Sequence, residues 1–483
     1  MRTRKAEKGL VLALDIGTSS SRAALFTGAG ERLLHTTTQQ AYPLKYTPDG
    51  GAELSPRTLR AAVENCIGKT LHVYRGDPML RGVPVTAVGT SCFWHSMIGV
   101  GDKNKPVTPI YTWADSRCRP DAAGLRKEFS EKTVHHRTGC MLRTSFWPAR
   151  LAWLRRTRPE LKVRTWMSPA EWLYREFLGV SNCSLSMASG TGLFRPDKLA
   201  WDKSLLDRFG LDENKLNITG DEPLAGCRHF EELKSVPWFP AIGDGAASNL
   251  GSGATRPGLA AINVGTSAAL RVMKSGSGVH APFGLFCYRV DSERFLVGGA
   301  VSNAGNLRAW CLRELNLDGD SASLEREMAR RPSPAHGLAV LPFWTAERAP
   351  TWDEDKTGVI HGITQNTTAL DILQATTEAS YYRISRIADL ILEKEKIAPR
   401  FIVSGGIQKS PSSLQRLADV LDQPVFVNDE PEASLRGAAI FALEKMGRKL
   451  AGLKLREAIR PRPKVVALYK QAKAAQQKIE RAL

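Results

Sequence analysis

The sequence predicts an α/β protein made of two related domains that face each other across a cleft. Two observations carry that expectation. Apolar runs of strand length alternate with longer amphipathic segments along the chain. In addition, LALDIGTSSSRAALF near residue 15 is echoed by AAINVGTSAALRV near residue 265. Each is an apolar strand that enters a Gly-Thr-Ser turn and continues into a second apolar strand. The copies differ at one telling place. Asp15 has Asn263 as its counterpart, so only one half brings a carboxylate to the cleft.

In chain order, the first hairpin spans VLALDIGTSSSRAA. LSPRTLRAAVENCIGKTL then reads as an amphipathic helix, with Ser55 as its cap and Pro56 in its first turn. Within it, Gly68-Lys69-Thr70 mimics the end of a P-loop, but Val63 stands where that motif needs a glycine. PVTAVGTS, LAAINVG, RFLVGGA, LAVLPF, RFIVSGG and PVFV read as strands. A long helix is expected over TTALDILQATTEASYYRISRIADLILEKEK, another over SSLQRLADVLD, and a surface helix over KVVALYKQAKAAQQKIERAL. The expected boundaries are 1–246, 247–446 and a basic extension over 447–483.

A chain of 483 residues is long enough for two full cores, and 42% hydrophobic with 24% charged residues is ordinary for a soluble protein. No run approaches the ~20 apolar residues of a membrane span, and the basic start leads only to LVLAL before Asp15. A cytoplasmic protein is expected. The eight cysteines contain no C-x-x-C pair, which argues for buried, reduced thiols rather than zinc or redox sites. The net charge of +18 raises nucleic acid as a partner. Residues 447–483, however, hold eleven Lys/Arg against two Glu, so half of the excess sits in the extension. No zinc-finger, KH or RRM signature accompanies it, and a solvated basic surface that attracts small anions is the preferred meaning. The oligomeric state is open, a homodimer included.

Four stretches together suggest phosphoryl transfer. In Asp15-Ile16-Gly17-Thr18-Ser19-Ser20 a glycine permits a tight turn, hydroxyls and amides donate to phosphate oxygens, and an acid suits a hard cation. The second turn, Gly265-Thr266-Ser267, supplies the other side of a clamp. In PAIGDGAASNLGSGA a strand ends at Gly243, leaving Asp244 to project beside a helix N-terminus, as a base or as an ordinary cap. In FIVSGGIQKSPSSLQRLADVL, Gly405 and Gly406 end a strand where they can pack beneath a nucleotide base, with Ser410 nearby.

These stretches, with SCFWHSM, YTWADSR, INVGTSA and ERAPTWDEDKTGVIHGIT, resemble the FGGY carbohydrate kinases in order over residues 9 to 445. Within that family the WHS, WADSR, SNLG and ERAP stretches are most similar to gluconokinases. The resemblance implies two ribonuclease-H-like domains of the sugar kinase/Hsp70/actin fold, the first sugar-binding and the second on the nucleotide side. It also implies ATP, Mg²⁺ and transfer of the γ-phosphate to a sugar hydroxyl, here D-gluconate to 6-phosphogluconate. Carried over residue by residue, Asp244 matches the catalytic base and Asp15 the Mg²⁺-associated acid. Thr18, Ser19, Ser20 and Arg22 match phosphate contacts, Gly265 and Thr266 the second loop, and Gly305 and Gly406 positions near the nucleotide. His95 matches a substrate contact, and Asp115 and Glu347 sit in motifs lining the sugar cleft. Other readings stand beside these. His95 is alternatively a satisfied core histidine, Trp94 a packing residue or a platform for the substrate's carbon face, and Glu347-Arg348 a structural ion pair. A xylulokinase or other polyol kinase is the nearest alternative function. A non-catalytic, sugar-responsive binding protein is a second, and the presence of both Asp15 and Asp244 favours an enzyme.

Overall fold

The computed structural model describes residues 9–217, 219–317, 320–393, 399–427 and 430–482. Its first main sheet uses β1 (Leu10–Ile16), β2 (Ser20–Thr27), β3 (Thr38–Ala41), β4 (Val85–Cys92) and β5 (Ile242–Gly243), in the order β5-β4-β1-β2-β3. The pairings β1–β2 and β2–β3 are antiparallel, whereas β1–β4 and β4–β5 are parallel. The second sheet uses β6 (Leu259–Val264), β7 (Ala268–Ser275), β8 (Phe286–Arg289), β9 (Arg294–Val301), β10 (Arg400–Ser404) and β11 (Val425–Val427). Its order is β8-β9-β7-β6-β10-β11, with antiparallel pairs up to β6 and parallel pairs beyond. With β8 set aside as an extra edge, the two sheets have the same connectivity. The repeated Gly-Thr-Ser hairpin is thus the sequence trace of a repeated α/β domain, the fold class expected.

The helices form where local signals specify them. α1 (Pro56–Gly76) begins on Ser55, whose hydroxyl accepts the Thr58 amide, with proline in the first turn. α2 (Asp244–Ser252) starts directly after β5. α3 (Gly305–Glu314) follows β9, and α4 (Ala369–Leu392) opens with a capping box between Thr368 and Asp371. Residues 394–396 of the helix anticipated there lie outside the described residues. α5 (Pro411–Leu421) is capped by Ser410. α6 (Ala433–Lys445) and α7 (Pro463–Ala482) complete the set used below. All eight cysteines are free and buried. Among the described residues no helix is long and apolar enough to cross a membrane.

Two placements depart from a simple division of the chain. α6 falls within the expected second domain, yet Leu435, Ala438, Ala439 and Ala442 pack into the core of the first sheet. α7 is no free surface helix: Tyr469 is fully buried in the second core and Val466 is nearly so. An apolar stripe on an otherwise basic helix gives it one face to dock.

The α2–α6 contact is backbone against backbone. A Cβ added at Gly437 would lie 1.8 Å from the Ala247 carbonyl oxygen, and one at Gly251 1.7 Å from that of Ala433. Gly89 of β4 meets the Ala438 carbonyl in the same way, at 2.1 Å. No side chain can yield there, so overpacking falls on the helix axes. Gly437→Val should destabilise the protein by about 1–3 kcal/mol in urea unfolding, while Gly447→Val, with open space around it, should cost less despite its positive φ.

Candidate active site

The first hairpin turn is built around Asp15. At the end of β1 its neighbours across the two ladders are Arg22 and Ser91. Ser91 Oγ donates to Asp15 Oδ1 (2.9 Å), and Arg22 Nη1 lies 3.4 Å from Oδ2. Burial raises the Asp15 carboxyl to about 6, against the pull of Ser91 and Arg22 and with a further push from Asp244. Arg22 also reaches Glu432 at the start of α6 (3.4 Å). Tyr42 Oη donates to the Gly17 carbonyl (2.6 Å) and steadies the turn. Ser19 is exposed at its tip, whereas Ser20 is buried at the start of β2. Thr18 faces the other way: its Oγ1 accepts from Trp113 Nε1 (3.1 Å), and it lines a cavity of about 160 Å³.

That cavity also receives Trp94, His95, Asp244, Ser267, Arg271 and Arg348. Trp94 both packs and lines it. Its Nε1 donates to the Ser186 carbonyl (3.0 Å), and its ring covers Gly243 so closely that a Cβ there would sit 1.8 Å from the indole. His95 has a positive φ of 65°, an uncommon conformation for a residue other than glycine. Arg150, fully buried, donates to the carbonyls of His95 and Ser145 and holds that backbone in place. His95 Nδ1 bonds the Gly190 carbonyl at 2.6 Å. A carbonyl only accepts, so Nδ1 carries the proton and Nε2 is left as an acceptor. Burial lowers the ring to about 3, so it is neutral.

Asp244 is the first residue of α2, and the Gly245 amide donates to its Oδ1 (2.9 Å). Burial raises its carboxyl, while Arg271 and then Arg348 oppose that shift. Both arginines are pushed down by burial in turn. Arg271 Nε and Nη1 and Arg348 Nε are out of solvent and have no hydrogen-bond partner in the protein. The Arg348 guanidinium lies 5.2 Å over the Trp113 ring. With His95 neutral, the charged groups lining the cavity are one carboxylate and two guanidiniums, a surplus of one positive charge.

Of the residues expected at the sugar cleft, two, Asp115 and Glu347, stand outside this cavity. Asp115 is buried in a clasp with Arg117, whose Nε and Nη2 reach its oxygens (3.1 and 2.5 Å), and it also accepts the Ala52 amide (3.3 Å). Glu347 pairs with Arg383 and Lys356 rather than with Arg348. The adjacent Arg348 therefore turns to the cavity alone. Arg271, Tyr288 and Trp113 were not singled out from the sequence. A lone arginine inside the apolar strand AALRVM was the available signal for Arg271.

A larger groove of about 850 Å³ opens on the second domain, with Gly265, Thr266, Gly305, Gly406 and Ser410 on its walls. The second turn packs on the start of α3: Gly305 N donates to the Gly265 carbonyl (2.9 Å) and Asn306 N to that of Thr266 (3.1 Å). A Cβ on Gly305 would approach the Gly265 oxygen to 2.5 Å. Gly405, at φ +90°, lies beneath the wall, where a Cβ would meet the Val264 carbonyl oxygen at 2.5 Å. Ser410 caps α5 and donates to Glu325 Oε2 (2.7 Å). Ser267 lines the smaller cavity while Gly265 and Thr266 line the groove, so one turn joins the two spaces.

The sequence pattern of the FGGY family of carbohydrate kinases, N-terminal domain, matches residues 10–222, and that of the C-terminal domain matches residues 260–446. The gluconokinase of Bacillus subtilis (strain 168) is 27% identical, covering 91% of this chain and 88% of the relative. The crystal structures of a ligand-bound xylulose kinase and of a gluconate kinase, both from Lactobacillus acidophilus, each superpose with a TM-score of 0.90 at 23% identity. Each covers 98% of both chains. At that identity they show the fold. With both family domains matched in order, the chain belongs to the FGGY family of carbohydrate kinases and is a phosphotransferase.

Proposed function

We propose that this kinase transfers the γ-phosphoryl group of ATP to the terminal hydroxyl of a sugar acid, D-gluconate to 6-phosphogluconate. The observation behind this choice is the surplus positive charge in the smaller cavity, together with guanidinium nitrogens that no protein acceptor satisfies. A neutral polyol would leave that charge uncompensated in a buried place, which is costly, whereas a carboxylate accepts from guanidinium in strong charge-assisted bonds. The similarity to gluconokinases supports the same substrate. In this reading the acceptor site is shared, with Trp94, His95 and Asp244 from residues 1–246 and Arg271 and Arg348 from 247–446, while the nucleotide groove belongs to 247–446.

The chain's own groups divide the work by charge. Asp244 orients the acceptor hydroxyl and takes its proton as the oxygen attacks phosphorus. Arg271, packed beside Gly245, favours the ionised form of Asp244 against the rise that burial imposes. Arg348, stacked over Trp113, takes the acid end of the sugar, and the His95 Nε2 lone pair accepts from a sugar hydroxyl. Gly265, Thr266, Gly305, Gly406 and Ser410 line the path of the nucleotide, and the amides and hydroxyls of the two turns donate to its phosphates. The oxygen donors at the first turn also fit Mg²⁺. Among the described residues no group of three or more His, Cys, Asp or Glu is assembled, and Mg²⁺ typically uses one or two carboxylates plus phosphates and water. Asp15 would hold the ion, which when bound would neutralise charge on the β- and γ-phosphates.

Asp244→Asn should lower kcat by about 10²–10⁴ while ATP affinity, read by calorimetry, stays within about twofold. In a coupled ADP-release assay across gluconate, xylulose, ribulose and glycerol, gluconate should give the highest kcat/KM. Arg348→Gln should then raise the gluconate KM by about 10- to 100-fold, the scale of a lost charge-assisted bond. Activity confined to a neutral ketose would overturn the acid-sugar reading. The acid limb of kcat/KM reports Asp244, which must be ionised to act. A nearby cation favours the ionised form, so Arg271→Gln should raise the Asp244 pKa and move the acid limb to higher pH, visible in a pH–rate profile.

A further inference from the structure

The matched family domains end at residue 446, yet α7, at residues 463–482, reaches back to the segment that carries Arg348. Its docking is specific along its length. Tyr469 is buried, Lys473 Nζ donates to the Val420 carbonyl (3.1 Å), and Gln476 Nε2 donates to the Val340 carbonyl (2.6 Å). One turn further on, Glu480 accepts from Lys356 Nζ (2.5 Å), Arg383 Nη1 (2.7 Å) and Arg386 Nη1 (3.3 Å). Arg383 and Lys356 are the same two cations that grip Glu347.

The segment 347–356 is thereby held at both ends, through Glu347 and through Lys356. Its interior is closed by backbone bonds, from Trp352 N to the Arg348 carbonyl (2.7 Å) and from Glu347 N to the Asp353 carbonyl (3.1 Å). Ala349 N ties it to the Ala300 carbonyl of β9 (3.1 Å). Arg348 projects from this frame into the acceptor cavity. Three cations share two carboxylates here. Removing the Glu480 charge leaves Arg383 and Lys356 to Glu347 alone, the residue directly before Arg348.

We propose that α7 is a brace for the acceptor site, and that Glu480, acting through Arg383, Lys356 and Glu347, is a positioning residue that sets where Arg348 meets the sugar. The proposal rests on the role given above to Arg348. It assigns a purpose to an extension whose charge alone pointed to no partner: the helix contributes to substrate selectivity from outside both family domains.

The test is steady-state kinetics on the full chain with Glu480→Gln, which keeps side-chain volume, and Glu480→Asp, which keeps charge. Glu480→Gln should raise the gluconate KM about tenfold, a coupling typical of residues sharing one ion-pair network, with kcat and the ATP KM within about twofold. Glu480→Asp should recover most of the loss. In a double-mutant cycle, Glu480→Gln should add little to Arg348→Gln, because the group it positions is already gone. An unchanged acceptor KM in Glu480→Gln overturns the brace, whether or not the melting temperature falls. So does a uniform loss in kcat and both KM values, or full additivity in the cycle. If the wild-type enzyme prefers a neutral polyol, the acid-sugar reading fails separately, and the same cycle on that polyol's KM still decides the brace.

Discussion

The close crossing of α2 and α6 is the constraint on which the site depends. Gly251 and Gly437 let the two helix backbones touch, and Gly89 lets β4 receive the same helix. A segment from the far end of the chain is thus locked to the first sheet, directly behind Asp244. Because α2 begins at Asp244 with no intervening loop, the position of that carboxylate is fixed by a helix axis rather than by a flexible turn. The start of α6 also brings Glu432 to Arg22. The proposed base and the proposed metal-bearing turn are therefore referenced to one rigid element.

The duplicated sheets show how a symmetric scaffold acquires two different ends. Asp15 faces Ser91 across a parallel ladder, and Asn263 faces Ser404 at the matching place. In the first copy the serine donates to a carboxylate (2.9 Å); in the second the asparagine amide donates to the serine (3.1 Å). The geometry is retained while the polarity is reversed and the charge removed. One half is left able to attract a cation, and the other is left as a neutral support for the turn that joins the two cavities.

Much of this architecture was legible in the sequence because it is encoded locally. The two hairpins, the Ser55 and Ser410 caps and the start of α2 after Gly243-Asp244 are all short-range signals. The reduced, buried state of the cysteines also followed from their spacing. What escaped depends on neighbours distant in the chain. Asp115 and Glu347 sit in motifs beside the cavity, but Arg117 and Arg383 take their oxygens, and only the folded arrangement shows it. Arg271 was hidden in a strand pattern, and for Arg348 an ion pair with the residue next to it was one of two open readings. The docking of α7 turns on Tyr469 and Glu480, which in a lysine-rich helix resemble ordinary amphipathic residues until their partners are known.

Trp94 and Gly243 have a consequence beyond the present substrate. The indole occupies the space that any side chain at 243 would need, so the two positions together form one volume shared between the wall and the strand end that precedes Asp244. A smaller residue at 94 would open room inside the cavity and at the same time lift the requirement for glycine at 243. The two sites are therefore free to drift only as a pair. A change in the size of accepted sugars has an available route here that leaves the proposed base and both phosphate turns untouched.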